Sequence, residues 1–376
     1  MNAPWYQLSN PETISSPALL VYPERVRENV RRMIALAGSV ERLRPHIKTH
    51  KLAEVIRLQM EQGITKFKCA TIAEAEMAAS CGVPDVLLAY QPVGPTIQRL
   101  MRLVQAFPKS KFSVIADDAG VIRALSAAAR REEHERQAPS PEIEVLLDLD
   151  IGQHRTGVAP GPGTLELYRL IASLPGLKPG GLHAYDGHIH DSDVEVRAGN
   201  CQAAFAPVEA LRQELNEAGL PVPRVVAGGT PTLPMHSRRA EVECSPGTCL
   251  FWDAGYGTKL PDLVFLPAAV VFTRVVSKPT AQRLCLDLGH KAIASEMPHP
   301  RVQFLNLTEG TPVAHNEEHL VVETAHAAAF KVGDFVYGIP WHICPTVALH
   351  AEAVVVEDGK ATQRWKIVAR ERRLTI

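Results

Sequence analysis

Two kinds of hydrophobic spacing divide this chain. Up to about residue 250, short apolar and β-branched runs alternate with segments whose apolar positions recur every three or four residues. The strand-like runs end near Lys48, Cys69, Tyr90, Ala116, Leu149, Tyr185, Gly228 and Gly247. Helical spacing covers Pro23 to Ala37, Leu52 to Gly63, Ile72 to Gly82, Ile97 to Phe107, Val121 to Gln137, Leu165 to Leu174 and Val194 to Gly219. In the second of these, Val55, Ile56 and Met60 fall on one side and predict a single buried stripe. Eight strands alternating with helices predict an α/β fold, a parallel (β/α)8 TIM barrel over residues 21–252 rather than an open sheet.

Beyond Phe251 the pattern changes to short β-branched runs separated by Gly, Pro and charged turns. The runs are Ala268 to Val276, Leu284 to Leu288, His319 to Thr324, Asp334 to Tyr337, Thr346 to Val356 and Arg364 to Val368. They predict a second, mostly β domain over residues 253–376, and residues 1–20 are long enough to add an extended segment to it.

Composition narrows the function classes. With 376 residues, 46% of them hydrophobic, the chain can build one large core and a smaller one. A formal charge of -1 gives no global field for nucleic acid or a membrane surface, so the expected partner is a small molecule or another protein. Seven cysteines without a C-x-x-C pair do not read as a disulfide framework, and no basic, apolar leader or membrane-length run is present. A cytoplasmic, reduced protein is the expectation.

The active site of a (β/α)8 barrel lies at the C-terminal ends of its strands. Lys48, in Arg44-Pro45-His46-Ile47-Lys48-Thr49-His50-Lys51, ends the first. A strand-end lysine can form a Schiff base, and burial or the neighbouring His46 and His50 would favour its neutral amine. The loops after strands seven and eight read Gly228-Gly229-Thr230-Pro231-Thr232 and Ser245-Pro246-Gly247-Thr248, suited to a phosphate through backbone N–H groups and hydroxyls. A lone lysine is usually a solvated charge and G-G-T an ordinary turn; their joint placement points to pyridoxal 5′-phosphate. In the tail, His342 and Cys344 stand two apart in an expected strand, where both would face one side and grip a soft metal. An isolated H-x-C is more often a half-buried histidine and an inert cysteine.

Six segments together resemble the D-threonine aldolase and D-serine dehydratase family of alanine racemase-like, fold-type III enzymes. They are R-P-H-I-K-T-H-K, Lys68 to Glu76 (K-C-A-T-I-A-E-A-E), Asp150 to Val158 (D-I-G-Q-H-R-T-G-V), Ala184 to His188, G-G-T-P-T and H-I-C-P-T. The resemblance implies a barrel with a β domain, pyridoxal phosphate, a divalent metal and a homodimer. It matches Lys48 to the lysine that carries the cofactor, Arg155 to the arginine at its phenolic oxygen, and Gly229, Thr230, Gly247 and Thr248 to the phosphate loops. His342 and Cys344 match the metal ligands; thiolate favours zinc, with manganese or magnesium as alternatives. One departure is Ser245-Pro246-Gly247, where alanine racemases place an arginine at the pyridine nitrogen; Tyr185 or solvent would take that role.

The function so implied is a lyase acting on a D-3-hydroxy amino acid, cleaving it to glycine and an aldehyde. The alternative is a D-serine or D-3-hydroxyaspartate dehydratase giving a 2-oxo acid and ammonia, which the cysteine of H-x-C favours. A racemase has no need of the metal pair, and a non-catalytic pyridoxal phosphate carrier has no need of the second domain. The base that would choose between branches is sought in Tyr185-Asp186-Gly187-His188-Ile189-His190, with His188 ahead of His190. The segment His315 to His319 is read as wall rather than a zinc motif, and His134 and His236 as solvated surface.

Overall fold

The computed structural model describes residues 4–136 and 142–376, so the end of the predicted fifth helix at Gln137 lies outside the described residues. The chain divides into two compact units, one of Met33–Lys48, Gln59–Gly247 and Glu371–Ile376, the other of Met1–Arg32, Thr49–Leu58 and Thr248–Arg370. In chain order the first elements are β1 (Ala18–Val21), α1 (Pro23–Ala37) and α2 (Ala53–Met60). Then β2 (Lys66–Cys69), α3 (Ile72–Ser80), β3 (Asp85–Leu88), α4 (Pro95–Ala106), β4 (Lys111–Ala116), α5 (Ala119–Arg136) and β5 (Ile143–Leu149) follow. The alternation continues through α6 (Pro162–Ser173), β6 (Leu177–Ala184), α7 (Val194–Glu217), β7 (Val225–Ala227), α8 (Leu233–His236) and β8 (Val242–Cys244).

Strands β2 to β8 form one parallel sheet in sequence order. Residues 43–47 join its two edges. The Arg44 and His46 N–H groups donate to the carbonyls of Cys244 and Pro246, while Ile47 N–H donates to Lys68 O and Lys68 N–H to Pro45 O. This segment closes the barrel as its first strand, though Pro45 removes one ladder donor and leaves isolated bridges instead of a continuous strand. The inner face holds Leu87, Ile115, Leu146 and Val226 in one apolar layer. Burying each contributes roughly 1.5–3 kcal/mol. At the start of α3 side chains cap the helix. Thr71 Oγ1 accepts Glu74 N–H at 3.1 Å and Glu74 Oε2 accepts Ala70 N–H at 2.6 Å, so the T-I-A-E of the second motif is a capping pair.

The other unit is a mostly β body. It contains α9 (Ala254–Lys259), β9 (Ala269–Thr280), β10 (Arg283–Leu286), β11 (Val302–Phe304), β12 (Thr311–His315), β13 (Leu320–Glu323), β14 (Phe335–Pro340), α10 (Ile343–Leu349), β15 (Glu352–Glu357) and β16 (Lys360–Lys366). Its sheet runs β12-β13-β10-β9-β1-β15-β16, with β14 also on β9 and β11 on β14. β1 lies between β9 and β15, antiparallel to one and parallel to the other.

His342 and Cys344 are not on a strand, and of Thr346 to Val356 only Glu352–Glu357 is one. His342 is the N-cap of α10 and Cys344 sits in its first turn. Pro345 cannot donate within a ladder but is tolerated in a first helical turn, and Asp253 Oδ2 accepts the Ile343 N–H at 3.0 Å.

Candidate active site

The loop after β5 is built by its own side chains. Asp150 Oδ1 accepts the N–H groups of Gly152 and His154 at 3.0 and 2.9 Å, and Asp117 Oδ2 accepts that of Gly157 at 2.7 Å. Val158 N–H then returns to Asp148 O at 3.0 Å, folding the loop back on its strand. Gly157 has φ +95, and a Cβ there would fall 2.5 Å from Asp150 N. The loop carries Arg155 to the rim of a cavity of about 560 Å³, lined by Lys48, His46, Ala70, Asp117 and Asp148 among others. Lys48 is braced by its N–H bond to His46 Nδ1 at 3.2 Å.

After β6 the side chains of Tyr185 and Asp186 diverge. The Tyr185 ring covers Gly187, where a Cβ would come within 2.4 Å of it. Lys48 Nζ and Arg155 Cζ lie 5.5 and 5.2 Å from the Tyr185 ring centroid, with Lys68 Nζ at 5.4 Å. Asp186 instead meets His236 Nε2 at 2.8 Å and accepts from Thr232 Oγ1 at 3.0 Å, with Cys201 Sγ 3.5 Å from the same nitrogen. His236 is therefore buried, not solvated as its polar surroundings in sequence suggest. Burial lowers its pKa, but Asp186 and Cys201 outweigh that and hold it at about 9. Asp186, Cys201 and His236 lie close enough to hold a metal, yet the ion pair satisfies them without one.

The loops after β7 and β8 are tied together, since Gly247 N–H donates to Thr230 Oγ1 at 3.1 Å. Gly229 N–H donates to Thr232 Oγ1 at 3.2 Å, and a Cβ on Gly229 would sit 3.3 Å from the Tyr185 ring. Ser245 Oγ donates to Arg44 O at 2.8 Å. The structure thus brings Lys48, Arg155, Tyr185, Gly229, Thr230 and Gly247 together. His188 and His190 are both exposed on the loop beyond; a Cβ on Gly152 would lie 2.9 Å from His188 Nε2.

Sequence reasoning missed the Asp148–His183 pair, 2.6 Å apart, whose His183 Nε2 is buried without a partner. It also missed Lys68, buried in β2. The K-F-K-C alternation was the available signal, because it puts both lysines on one strand face.

In the β unit, Cys344 Sγ lies 3.2 Å from Thr49 Oγ1 and 3.7 Å from Thr248 Oγ1. Thr248 therefore belongs with the cysteine. His342 Nδ1 is 2.5 Å from Glu296 Oε1, a carboxylate on a loop where sequence gives no periodic signal. Burial would lower the His342 pKa, but Cys344, Glu296 and Asp253 bring it to about 9. In the region read as wall, His315 packs on His290 with ring centroids 4.3 Å apart, and burial lowers its pKa to about 4.

Comparison with known proteins places the chain in one family. The alanine racemase N-terminal domain matches residues 21–254, and a putative serine dehydratase domain matches residues 268–356. A D-threonine aldolase of Arthrobacter sp is 31% identical, covering 95% of this chain and 93% of that protein. A D-threo-3-hydroxyaspartate dehydratase of Delftia sp. (strain HT23) is 30% identical over 94% and 97%. The crystal structure of D-threonine aldolase from Filomicrobium marinum superposes with a TM-score of 0.83 at 27% identity, covering 98% of this chain and 99% of the other. The chain belongs to the alanine racemase N-terminal domain family and, within it, to the lyases of D-threonine aldolase and D-serine dehydratase type.

Proposed function

We propose that this enzyme uses pyridoxal phosphate and a divalent metal to cleave D-3-hydroxy amino acids to glycine and an aldehyde. The observation that carries the cofactor is charge. Lys48, Lys68 and Arg155 gather at one aromatic ring, while the nearby Asp117 and Asp148 are engaged by Gly157 N–H and His183. That surplus suits an anionic, aldehyde-bearing cofactor, with Lys48 as its amine and the Gly229–Thr230 and Gly247–Thr248 loops for its phosphate. Once bound, the cofactor supplies an electron sink for charge developing at the substrate's α-carbon.

The chain's own groups then do the following. Arg155 would hold the cofactor's phenolic oxygen as a fixed cation, and Tyr185 would wall the site. His188 takes the hydroxyl proton on a ring nitrogen, with His190 as the alternative. The residues that would hold the metal are His342 and Cys344, an imidazole and a thiolate, with Glu296 on His342 Nδ1 orienting that ring; the pair suits zinc ahead of manganese or magnesium and would supply a Lewis acid for the substrate hydroxyl. On this reading residues 21–252 bind the cofactor and 253–376 the metal, in a cytoplasmic homodimer. Among the described residues no helix is long and apolar enough to cross a membrane.

Cys344 also supports a second reading, in which Lys48 takes the α-proton and a dehydratase results. Product analysis with metal-loaded protein on D-threonine, D-serine and D-3-hydroxyaspartate decides. Glycine with an aldehyde is expected; oxo acid with ammonia establishes the second reading, and no turnover of any substrate leaves a cofactor carrier.

A further inference from the structure

Lys68 has no part in the reaction as derived above. It is only 2% exposed, on the inner face of β2, one inward position from the cavity-lining Ala70. Buried lysines are normally paired. The Lys68 amine forms no ion pair or hydrogen bond among the described residues, and it lies 5.4 Å from the Tyr185 ring that Lys48 and Arg155 also approach. The charged and titratable groups facing it are Lys48 from the first strand, Asp148 on β5, His183 on β6, Tyr185 and Asp186 just beyond, and Arg44. Asp148 is held by His183 at 2.6 Å and Asp186 by His236 at 2.8 Å. Burial, then Lys48, brings the Lys68 pKa down to about 7, with the two aspartates offsetting only part.

We propose that Lys68 is a positioning residue of the site, a second amine that tunes the charge on the Lys48 nitrogen. The inference rests on Lys48 being the cofactor's amine. The two amines lie 5.5 and 5.4 Å from the centroid of the same ring, and a like charge among the neighbours of a titrating amine in a partly dry site shifts its titration by roughly 1–2 pH units. The test is an absorbance titration of the cofactor-loaded wild type, Lys68→Met and Lys68→Arg proteins. The permanent charge of Lys68→Arg should place its midpoint about 1–2 pH units below that of Lys68→Met, with wild type following Lys68→Arg at acid pH and Lys68→Met at alkaline pH. Identical midpoints in all three overturn the proposal. Borohydride fixation and peptide mapping of the same samples separate the two failures. A label away from Lys48 sinks the cofactor assignment and this inference together, whereas a label on Lys48 with identical midpoints sinks the inference alone. Should the variants misfold, NMR titration of isotope-labelled lysine Cε in wild-type holoenzyme reads the group directly. A midpoint near 7 supports the proposal, and an ordinary lysine midpoint of about 10 overturns it.

Discussion

At the N-terminal ends of the barrel strands Arg44 is fully buried yet meets Asp85 at 2.7 Å and Glu243 at 2.6 Å, whereas further along the barrel the equally buried Lys68 meets no carboxylate. The Arg44 end is a network: Lys66 shares Glu243 at 2.6 Å, and Glu144 takes Arg224 and Lys111. Every cation there is answered. Burial would pull the Arg44 pKa down, but its two carboxylates hold it above the ordinary value. At the mouth, burial and Lys48 act on Lys68 with only distant relief. Compensated charge sits where the barrel closes, while the uncompensated charge sits with the cations gathered at Tyr185.

The largest test of this contrast is at the mouth. Lys48→Ala should reduce turnover by about a thousand-fold or more and abolish the borohydride-stable label at that position, while the cofactor-free protein keeps its stability within about 0.5 kcal/mol. Retained turnover would remove the catalytic meaning given to the mouth. Arg44→Met makes the opposite test. It strands Asp85, leaves Glu243 to Lys66 alone, and should cost roughly 3–5 kcal/mol in denaturant unfolding, with turnover per folded molecule unchanged. A cost below about 1 kcal/mol would show that the network is decoration.

Lys68→Met should act in the other direction and stabilise the protein by about 1–3 kcal/mol at neutral pH, because a buried, unpaired amine gives way to an apolar chain of similar length. The pH dependence follows from linkage. The folded pKa is about 7 and the unfolded value is the ordinary 10.5, so between them the unfolded chain binds a proton that the folded chain does not. Wild-type stability should therefore rise with pH across that window, and the rise should vanish in Lys68→Met. Chemical denaturation at several pH values measures both.

How legible these features are in sequence follows the range of the physics behind them. The ends of β2, β4 and β5 read directly as Cys69, Ala116 and Leu149, because alternation and helical spacing are local. The placement of Lys48 and Arg155 beside one cavity was legible too, through motifs near strand ends. The strand placement of His342 and Cys344 failed because Pro345 and an Asp253 some ninety residues earlier jointly favour a helix start there. His236 looked solvated because its partners Asp186 and Cys201 come from other elements. Arg44 opens the R-P-H-I-K-T-H-K motif, yet nothing adjacent in sequence tells that it meets Asp85 and Glu243.

The smallest effect separates the two ends within one titration. Burial raises the Asp85 and Glu243 pKa values, but the pairing with Arg44 outweighs it and holds both below the ordinary carboxylate range. With folded values below unfolded ones, their contribution is complete above the unfolded carboxylate pKa of about 4 and is lost as pH falls through the folded values. Wild type should lose stability on acidification below about pH 4, and Arg44→Met should lose less over the same range because the pairing that depressed those values is gone. Lys68→Met should leave this acid limb intact while flattening the alkaline one. If Lys68→Met changed both limbs together, the acid limb would not belong to the Arg44 network alone, and the division between a compensated floor and an uncompensated mouth would fail.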